Sequence, residues 1–144
     1  MLLSFSIPEM RPMIEAGIRQ HDGEDIGDFR VKRQTIRRIR SDRSPWRRLV
    51  PGRTLHLWWK SRTPERRFLG EVTCSLAQRL AIEPGTVTDR WVFLIEDEGR
   101  GWRPLSASEC RELADLDGFN HPDELVAFLK PGAVANWRGV VIRW

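Results

Sequence analysis

The chain has 144 residues, of which 40% are apolar and 31% are charged, and its formal net charge at pH 7 is +4. These values exclude a disordered chain and fit one globular domain, residues 1–144, which is large enough to bury a core without disulfides or metals. No apolar run approaches the roughly 20 residues of a membrane-spanning helix, and the N-terminus lacks the basic and long apolar regions of a signal peptide, so we expect a cytoplasmic protein without a membrane partner.

The N-terminal third is predicted to contain a strand, a helix and two loops. Alternation of apolar and polar residues over 2–6 predicts the strand. The segment Ser6-Ile7-Pro8-Glu9 has the spacing of a capping box, so we expect a helix to follow it and to end at Gly17. Pro12 would remove a backbone hydrogen bond in mid-helix, so the alternative is a regular helix that begins only there. Residues 18–30 and 41–53 are polar and contain glycine or proline, which predicts two inserted loops.

Strands and two short helices are predicted for the rest of the chain. The strands cover residues 54–59, 68–76, 90–96 and 139–144. The last strand places Val140, Ile142 and Trp144 on one face. A helix over 106–118 begins with the capping-box pattern of Ser106 and Glu109, and another covers 120–130. Because strands and helices do not alternate regularly, we predict an α+β fold, a small closed or partly open β-barrel of about five to six strands with short peripheral helices.

The cysteines and histidines lack the spacing of a metal or redox site. Cys74 and Cys110 lie far apart without a CxxC partner, which is typical of reduced core residues in a cytosolic protein. His21, His56 and His121 do not have the spacing of metal ligands. We therefore expect no metal and no other cofactor.

Positive charge is concentrated in residues 30–67. This window contains 14 Lys and Arg residues and two acids, Asp42 and Glu65, so its net charge is +12 and the rest of the chain carries −8. Such an asymmetry predicts one basic face or loop. A basic face suits a partner that carries phosphates.

Four short motifs follow one another along the chain. Lys32-x-x-Thr35-Ile36-Arg37 comes first, and a Gly-x-x-Leu-x-Leu strand, 52–57, comes second. Asp117-Gly118-Phe119 precedes the last helix, and Val140-Val141-Ile142-Arg143-Trp144 closes the chain. In this order the motifs resemble the ASCH domain, and the resemblance extends over essentially the whole chain. It implies a small β-barrel similar to PUA domains and a role in RNA binding.

The resemblance also implies an enzymatic alternative. Some ASCH proteins are small amidohydrolases that remove the acetyl group from N4-acetylcytidine with a threonine, a lysine and an acidic residue. Carried over to this chain, the resemblance implies Thr35 as the nucleophile, Lys32 as its base and Asp117 as the acidic partner. The acid in those enzymes is a glutamate, which is one methylene longer than the aspartate found here.

Elementary chemistry sets two conditions for this set of residues. A threonine hydroxyl needs a base, and a lysine can act as one only if its pKa falls well below about 10.4. The cations Arg33 and Arg37 would lower the pKa of Lys32, whereas Asp117 would raise it. Residues three apart face opposite sides of a flat strand, so Lys32 and Thr35 can meet only if the backbone between them is irregular.

The candidates for binding a phosphate-carrying ligand are cations and tryptophans of the basic window. Arginine suits contacts with phosphate, and a tryptophan beside a cation and off the apolar faces suits stacking on a base. These candidates are Arg33, Arg37, Arg38, Arg40, Trp46, Trp58, Lys60 and Arg62.

Three functions remain open at this point. The first is a module that binds RNA, a nucleotide or a nucleoside, and the second is an amidohydrolase acting on an acylated nucleobase or nucleoside. The third is metal-independent cleavage of RNA, for which the chain offers no pair of histidines as general acid and base. Structural roles also remain open: Lys32 as a solvated charge, Thr35 as an ordinary strand residue and Asp117 as the end of a turn before Gly118.

Overall fold

The computed structural model describes residues 1–86, 90–133 and 136–144. In chain order the elements are β1 (Leu2–Phe5), α1 (Arg11–His21), β2 (Gln34–Arg38), β3 (Thr54–Trp59), β4 (Arg67–Thr73), β5 (Leu76–Pro84), β6 (Trp91–Asp97), β7 (Gly101–Pro104), α2 (Ala107–Leu116), α3 (Pro122–Leu129) and β8 (Trp137–Arg143). Short 3-10 turns lie at Pro8–Met10, Pro45–Arg48 and Pro131–Ala133. Within these described ranges, no helix is long and apolar enough to cross a membrane.

The strands of the described residues form two sheets. One has the order β1-β3-β4, with β1 parallel to β3, and the other has the order β2-β8-β5-β6-β7, with every pair antiparallel. The prediction of an α+β fold with short helices is confirmed, although the part of the chain that the structure describes contains eight strands and not five to six. Closure of the sheets into a barrel stays a prediction. Both β1 and β2 are edge strands, so each has one edge that is not paired with another strand of its sheet.

Strand β8 separates two apolar cores. Val140, Ile142 and Trp144 share a face, as predicted, and pack in the core formed with β1, β3 and α1. Val141 points the other way, into the core formed with α2 and α3. Because β8 is buried on both faces and paired on both edges, it holds its neighbour β2 in a fixed position.

Helix α1 begins later than the capping pattern predicts and close to Pro12, as the alternative expected. The 3-10 turn Pro8–Met10 occupies the expected start, and the regular helix begins at Arg11 with Pro12 in its first turn, where a missing N–H costs no helical hydrogen bond. The N-cap residue is Met10, and it makes no side-chain capping hydrogen bond. The capping box predicted at Ser6 is therefore wrong.

Helix α1 also ends later than predicted, at His21 instead of Gly17, so the loop predicted over 18–30 begins only at residue 22. Gly17 is a buried residue of the helix interior. A Cβ built on it would lie 2.4 Å from the carbonyl oxygen of Lys32. The glycine therefore allows α1 to approach the Lys32 segment closely, and it does not act as a stop signal.

The sequence pattern misses strands β2, β5 and β7. The segment 68–76 consists of β4 up to Thr73, a break at Cys74 and Ser75, and the first residue of β5. In β5 the consecutive residues Leu80, Ala81 and Ile82 are all buried, so the strand lacks the alternation that reveals a half-exposed strand. Strand β7 is short and exposed along its whole length, and it has no apolar face to recognise.

Candidate functional site

The edge strands β1 and β2 meet at a seam between the two sheets. Arg37 on β2 donates from Nη2 to the carbonyl oxygen of Ser4 on β1 at 2.6 Å, and its guanidinium carbon lies 5.2 Å from the centre of the Phe5 ring. The Nε of Arg37 is shielded from solvent and has no hydrogen-bond partner among the described residues. At this seam a side chain, instead of a strand ladder, bridges the sheets.

A cavity of about 90 Å³ lies at the seam. Its polar lining consists of Lys32, Thr35, Arg37 and Asp117, together with Ser4 and Ser6. Phe119 and the half-exposed Phe128 add an apolar wall, with their ring centres 5.3 Å apart. The three residues that the resemblance implies for catalysis thus line one cavity, together with an arginine from the predicted binding set.

Lys32 reaches this cavity from an irregular segment. Residues 31–33 belong to no helix or strand, and β2 begins only at Gln34. The backbone N–H of Lys32 donates to the carbonyl oxygen of Met13 in α1 at 2.9 Å. The irregular backbone required for Lys32 and Thr35 to share a site is therefore present.

The helix that carries Asp117 begins with the predicted capping box. The hydroxyl of Ser106 accepts from the backbone N–H of Glu109, and the carboxylate of Glu109 accepts from the backbone N–H of Ser106. Hydrogen bonds from Arg103 and from the Ser106 backbone lower the pKa of this exposed carboxyl group to about 2. The N-terminal end of α2 is thus fixed by paired charges and a cap.

The C-terminal end of α2 places Asp117 at the cavity. Gly118 has a φ of +92°, which a residue with a side chain rarely adopts. Its N–H donates to the carbonyl oxygen of Asp115, and the N–H of Phe119 donates to that of Ala114, the two bonds of a Schellman motif. The Asp-Gly pair therefore ends the helix, as one interpretation expected, and also turns the Asp117 side chain into the protein.

Lys32 and Asp117 form a buried ion pair. The Nζ of Lys32 donates to the carboxylate and to the backbone carbonyl oxygen of Asp117, and each residue keeps only 2% of its surface exposed. A lysine at this position also suits the negative end of the α2 dipole. The interpretation of Lys32 as a solvated surface charge is therefore wrong.

Burial, more than neighbouring charge, shifts the titration of this pair. Desolvation lowers the pKa of Lys32, against the attraction of Asp117, and Arg37 adds to the lowering. Desolvation likewise raises the pKa of Asp117, against the attraction of both cations. The predicted direction for Lys32 holds, but its main cause is burial, and Arg33 is not one of its causes.

Thr35 lies in the cavity wall without a hydrogen bond to the ion pair. It is the second residue of β2 and is buried, with 6% of its surface exposed. Its hydroxyl makes no hydrogen bond to another described residue, whereas the amine of Lys32 is engaged by Asp117. The arrangement brings the three residues to one cavity, and hydrogen bonds join only two of them.

Gln34 is a site-supporting residue that the sequence interpretation missed. It is fully buried, donates from Nε2 to the carbonyl oxygen of Leu113 in α2 at 2.9 Å, and accepts from Nε of Arg143 at 2.9 Å. The first bond connects β2 to α2, whose C-cap is Asp117, and the second connects β2 to β8. A polar residue at the inward-facing start of a strand, between Arg33 and Thr35, is the only signal that the sequence offers.

Several predicted binding residues converge on a groove of about 390 Å³ next to the cavity. Arg37, Trp46, Lys60 and Arg62 line this basic groove, with Leu2 and Ser4 of β1 at its base. Trp46 reaches it from the 3-10 turn Pro45–Arg48, inside the otherwise irregular loop 41–53. Ser4, Ser6 and Arg37 line both the groove and the cavity, so the two form one continuous concave surface.

The remaining predicted binding residues lie elsewhere. Arg33 donates from Nε to the carbonyl oxygen of Trp144 at 2.8 Å, so it anchors the end of the chain. Arg38 is next to Arg37 on β2 and, by strand alternation, faces the opposite side of the sheet. Arg40 is exposed beyond the end of β2 and lines neither the cavity nor the groove.

Trp58 is also outside the groove. It lies on the outer face of the three-stranded sheet and packs against Phe68, with ring centres 5.2 Å apart. Cys74 and Cys110 are both free, and within the described ranges no three His, Cys, Asp or Glu side chains cluster as a metal site would require.

No protein-family model matches this chain, and neither does any curated protein or solved structure.

Proposed function

We propose that the protein binds a nucleotide or single-stranded RNA at the seam, with part of the base in the cavity and the phosphate against the basic groove. The observation that carries this proposal is the position of Arg37, which is a wall of both. The Nη2 of its guanidinium donates to the carbonyl oxygen of Ser4, and its shielded Nε has no hydrogen-bond partner among the described residues. A buried donor of this kind favours a ligand that brings an acceptor.

The volumes of the cavity and the basic groove support a ligand whose base and phosphate bind in different places. Sites for whole small molecules usually have volumes of about 300–1,000 Å³, so the cavity of about 90 Å³ suits only the edge of a larger group. The polar atoms of Thr35 and Asp117 suit the donors and acceptors of a base edge, and the rings of Phe119 and Phe128 suit its faces. The groove holds the charge that a phosphate requires, from Lys60 and Arg62.

The proposal includes the ASCH resemblance and its PUA-like barrel. The support is the adjacency of the edge strands β1 and β2, which the Arg37 to Ser4 hydrogen bond joins where a barrel would close. Lys32, Thr35 and Arg37, which belong to one of the four motifs, line the cavity together with Asp117 and Phe119 from another. Residues far apart in the chain are thus brought to one place by the order of elements that the resemblance implies.

Matched arginine variants on β2 test the binding proposal. Arg37→Gln is expected to weaken binding of cytidine monophosphate and of single-stranded RNA by at least about tenfold, since a charged hydrogen bond is worth about 1.5–3 kcal/mol. Arg38→Gln, one residue along and on the opposite face, should leave both affinities unchanged. Isothermal titration calorimetry at two salt concentrations measures this, and equal affinities for the two variants would argue against the proposal.

A second candidate is hydrolysis of an acyl amide on a nucleobase, and the shared cavity of Lys32, Thr35 and Asp117 favours it. The Lys32 amine would first give a proton to the Asp117 carboxylate, since burial lowers the pKa of Lys32 and raises that of Asp117. Thr35 Oγ1 would then attack the carbonyl carbon and pass its proton to the neutral amine. The amide C–N bond would then break, and the leaving amine would take that proton. Water would hydrolyse the resulting ester, releasing the acid and restoring the hydroxyl.

Chromatography of N4-acetylcytidine incubated with the protein tests this candidate. It predicts cytidine and acetate from the wild type and none from Thr35→Val, which removes the hydroxyl at nearly constant volume. Asp117→Glu supplies the longer acid of the related amidohydrolases and provides a second active-site variant. Equal amounts of product from the wild type and Thr35→Val would exclude the hydrolase. The absence of product from both the wild type and Asp117→Glu would exclude it as well.

A further inference from the structure

The outer face of the β3–β4 hairpin carries exposed aromatic side chains. The buried residues of β3 alternate with His56 and Trp58, which point outwards, and Phe68 is the cross-strand partner of Trp58. The rings of Trp58 and Phe68 are 5.2 Å apart, and those of His56 and Phe68 are 6.4 Å apart. Phe68 keeps 45% of its surface exposed although it is a large apolar residue.

The turn of the same hairpin is cationic. It contains Lys60, Arg62 and Arg66, and β4 opens with Arg67. Glu65, the acid of this turn, pairs with Lys60, and the three arginines are exposed. Aromatic rings beside an excess of positive charge are the combination on which proteins stack the bases of single-stranded nucleic acids.

This aromatic face continues from the basic groove. Ser4 on β1, which lines both the cavity and the groove, is the cross-strand partner of Trp58, and Trp58 is the partner of Phe68. The row therefore runs from the seam across the whole sheet, a distance of about 10 Å for two strand spacings. A polynucleotide leaving the cavity along this row meets the rings of Trp58 and Phe68 next.

We propose that the face formed by His56, Trp58 and Phe68, with the turn cations, is a second binding surface for single-stranded nucleic acid. The ligand is then an oligonucleotide with one nucleotide at the seam and its neighbours stacked on this hairpin face. The identity of the ligand rests on the proposed function. The aromatic residues and the arginines Arg66 and Arg67 are new, whereas Lys60 and Arg62 also line the basic groove. A duplex is excluded as the ligand because its bases are already stacked and do not offer their faces.

The test measures binding of a labelled single-stranded RNA of about 10 nucleotides, a length that a small domain can cover. Phe68→Ala and the double variant Arg66→Ala/Arg67→Ala remove exposed side chains that line neither the cavity nor the basic groove, and both variants should fold normally. Trp102→Ala is the control for the aromatic change, because Trp102 is equally exposed but lies on β7. Arg111→Ala, on an exposed position of α2, is the control for the charge change.

Phe68→Ala should weaken binding of the oligonucleotide by about fivefold to 150-fold, the reduction expected for one stacked base, and leave binding of cytidine monophosphate unchanged. The double arginine variant should bind with a weaker salt dependence, its slope falling by about 0.7 for each phosphate that is no longer neutralised. The control variants should bind like the wild type.

Unchanged oligonucleotide affinity in both hairpin variants would overturn the inference, and so would equally tight binding of a duplex or no binding of the single strand at all. Self-association that depends on Phe68, in place of nucleic-acid binding, would overturn it in favour of a second copy of the chain. The wild type could bind no cytidine monophosphate while its binding of the oligonucleotide still depends on Phe68. This result would contradict the proposed cavity function and support the hairpin face.

Discussion

The amine of Lys32 donates to both the side chain and the backbone carbonyl of Asp117, a residue 85 positions away in the sequence. One side chain thereby neutralises a buried carboxylate and satisfies a carbonyl at the end of α2. The bond joins the segment between α1 and β2 to a helix of the second core. The geometry of the cavity therefore depends on this pair whether or not it takes part in chemistry.

Lys32→Met should destabilise the protein by about 3–5 kcal/mol at pH 7, because it leaves a buried carboxylate without its cation. Chemical denaturation measures the free energy of unfolding. Burial raises the pKa of Asp117, and losing Lys32 raises it further. Above pH 3.9 or so, the ordinary pKa of an aspartate, the unfolded chain has lost this proton while the folded variant keeps it. The free energy of unfolding of the variant therefore falls as the pH rises from about 3.9 to the raised pKa of Asp117.

The deficit of Lys32→Met relative to the wild type should therefore be smaller at pH 4.5 than at pH 7. The double variant Lys32→Met/Asp117→Asn, which removes both charges, should recover much of the lost stability at pH 7. A deficit that is the same at both pH values, or a double variant no more stable than the single one, would show that the carboxylate is not the source of the loss.

Gly17→Ala should destabilise the protein by about 1–3 kcal/mol, although alanine normally favours a helix interior. The added Cβ would lie 2.4 Å from the carbonyl oxygen of Lys32. Because this oxygen belongs to the backbone, it cannot move aside as the end of a flexible side chain could. Arg19→Ala, on the exposed side of the same helix, is the matched control and should change stability little. Increased stability of Gly17→Ala in chemical denaturation would contradict the close contact.

Arg103→Gln should raise the pKa of Glu109 from about 2 towards its ordinary value, because a hydrogen bond from Arg103 is the largest cause of the lowering. Carboxyl NMR shifts against pH measure both midpoints. A carboxyl group with a lowered pKa stabilises the fold above its unfolded pKa of about 4.3, and this contribution is lost as the pH falls towards 2. A midpoint that stays near pH 2 in the variant would assign the lowering to the Ser106 cap.

Phe128→Ala should open the mouth of the cavity with little loss of stability. Its ring is 51% exposed, so its removal should cost about 1 kcal/mol or less. Binding of cytidine monophosphate should weaken at least about fivefold, because the ring forms an apolar wall for the base. Phe29→Ala removes an equally exposed ring away from the cavity, and the two variants should differ in affinity and not in stability.

The sequence predicts the elements whose patterns are local. The capping box at Ser106 and the shared face of Val140, Ile142 and Trp144 are examples, since each depends on residues a few positions apart. Strand β5 escapes prediction because burial on both faces removes its alternation. The predicted end of α1 at Gly17 is wrong because this glycine is required by a tertiary contact with the backbone of Lys32. No local sequence pattern records such a contact.

Local sequence patterns likewise predict only part of the candidate site. The Lys32 to Arg37 motif marks four residues of the cavity lining, but the direct pairing of Lys32 with Asp117 depends on packing between distant elements. Arg37 and Arg38 look equivalent in the sequence, and only the orientation of β2 separates a cavity residue from one on the opposite face. The outward position of Phe68 depends on a bulge in the β3–β4 pairing between Leu57 and Trp58.

The most direct test of the binding proposal is an NMR titration of the labelled protein with cytidine monophosphate. The proposal predicts saturable shifts for Lys32, Thr35, Arg37 and Phe119 at the seam, with further shifts for Lys60 and Arg62 in the groove. The same titration of Arg37→Gln should show much weaker shifts at these residues. Absence of shifts at the seam, or shifts confined to another part of the protein, would contradict a nucleotide site between β1 and β2.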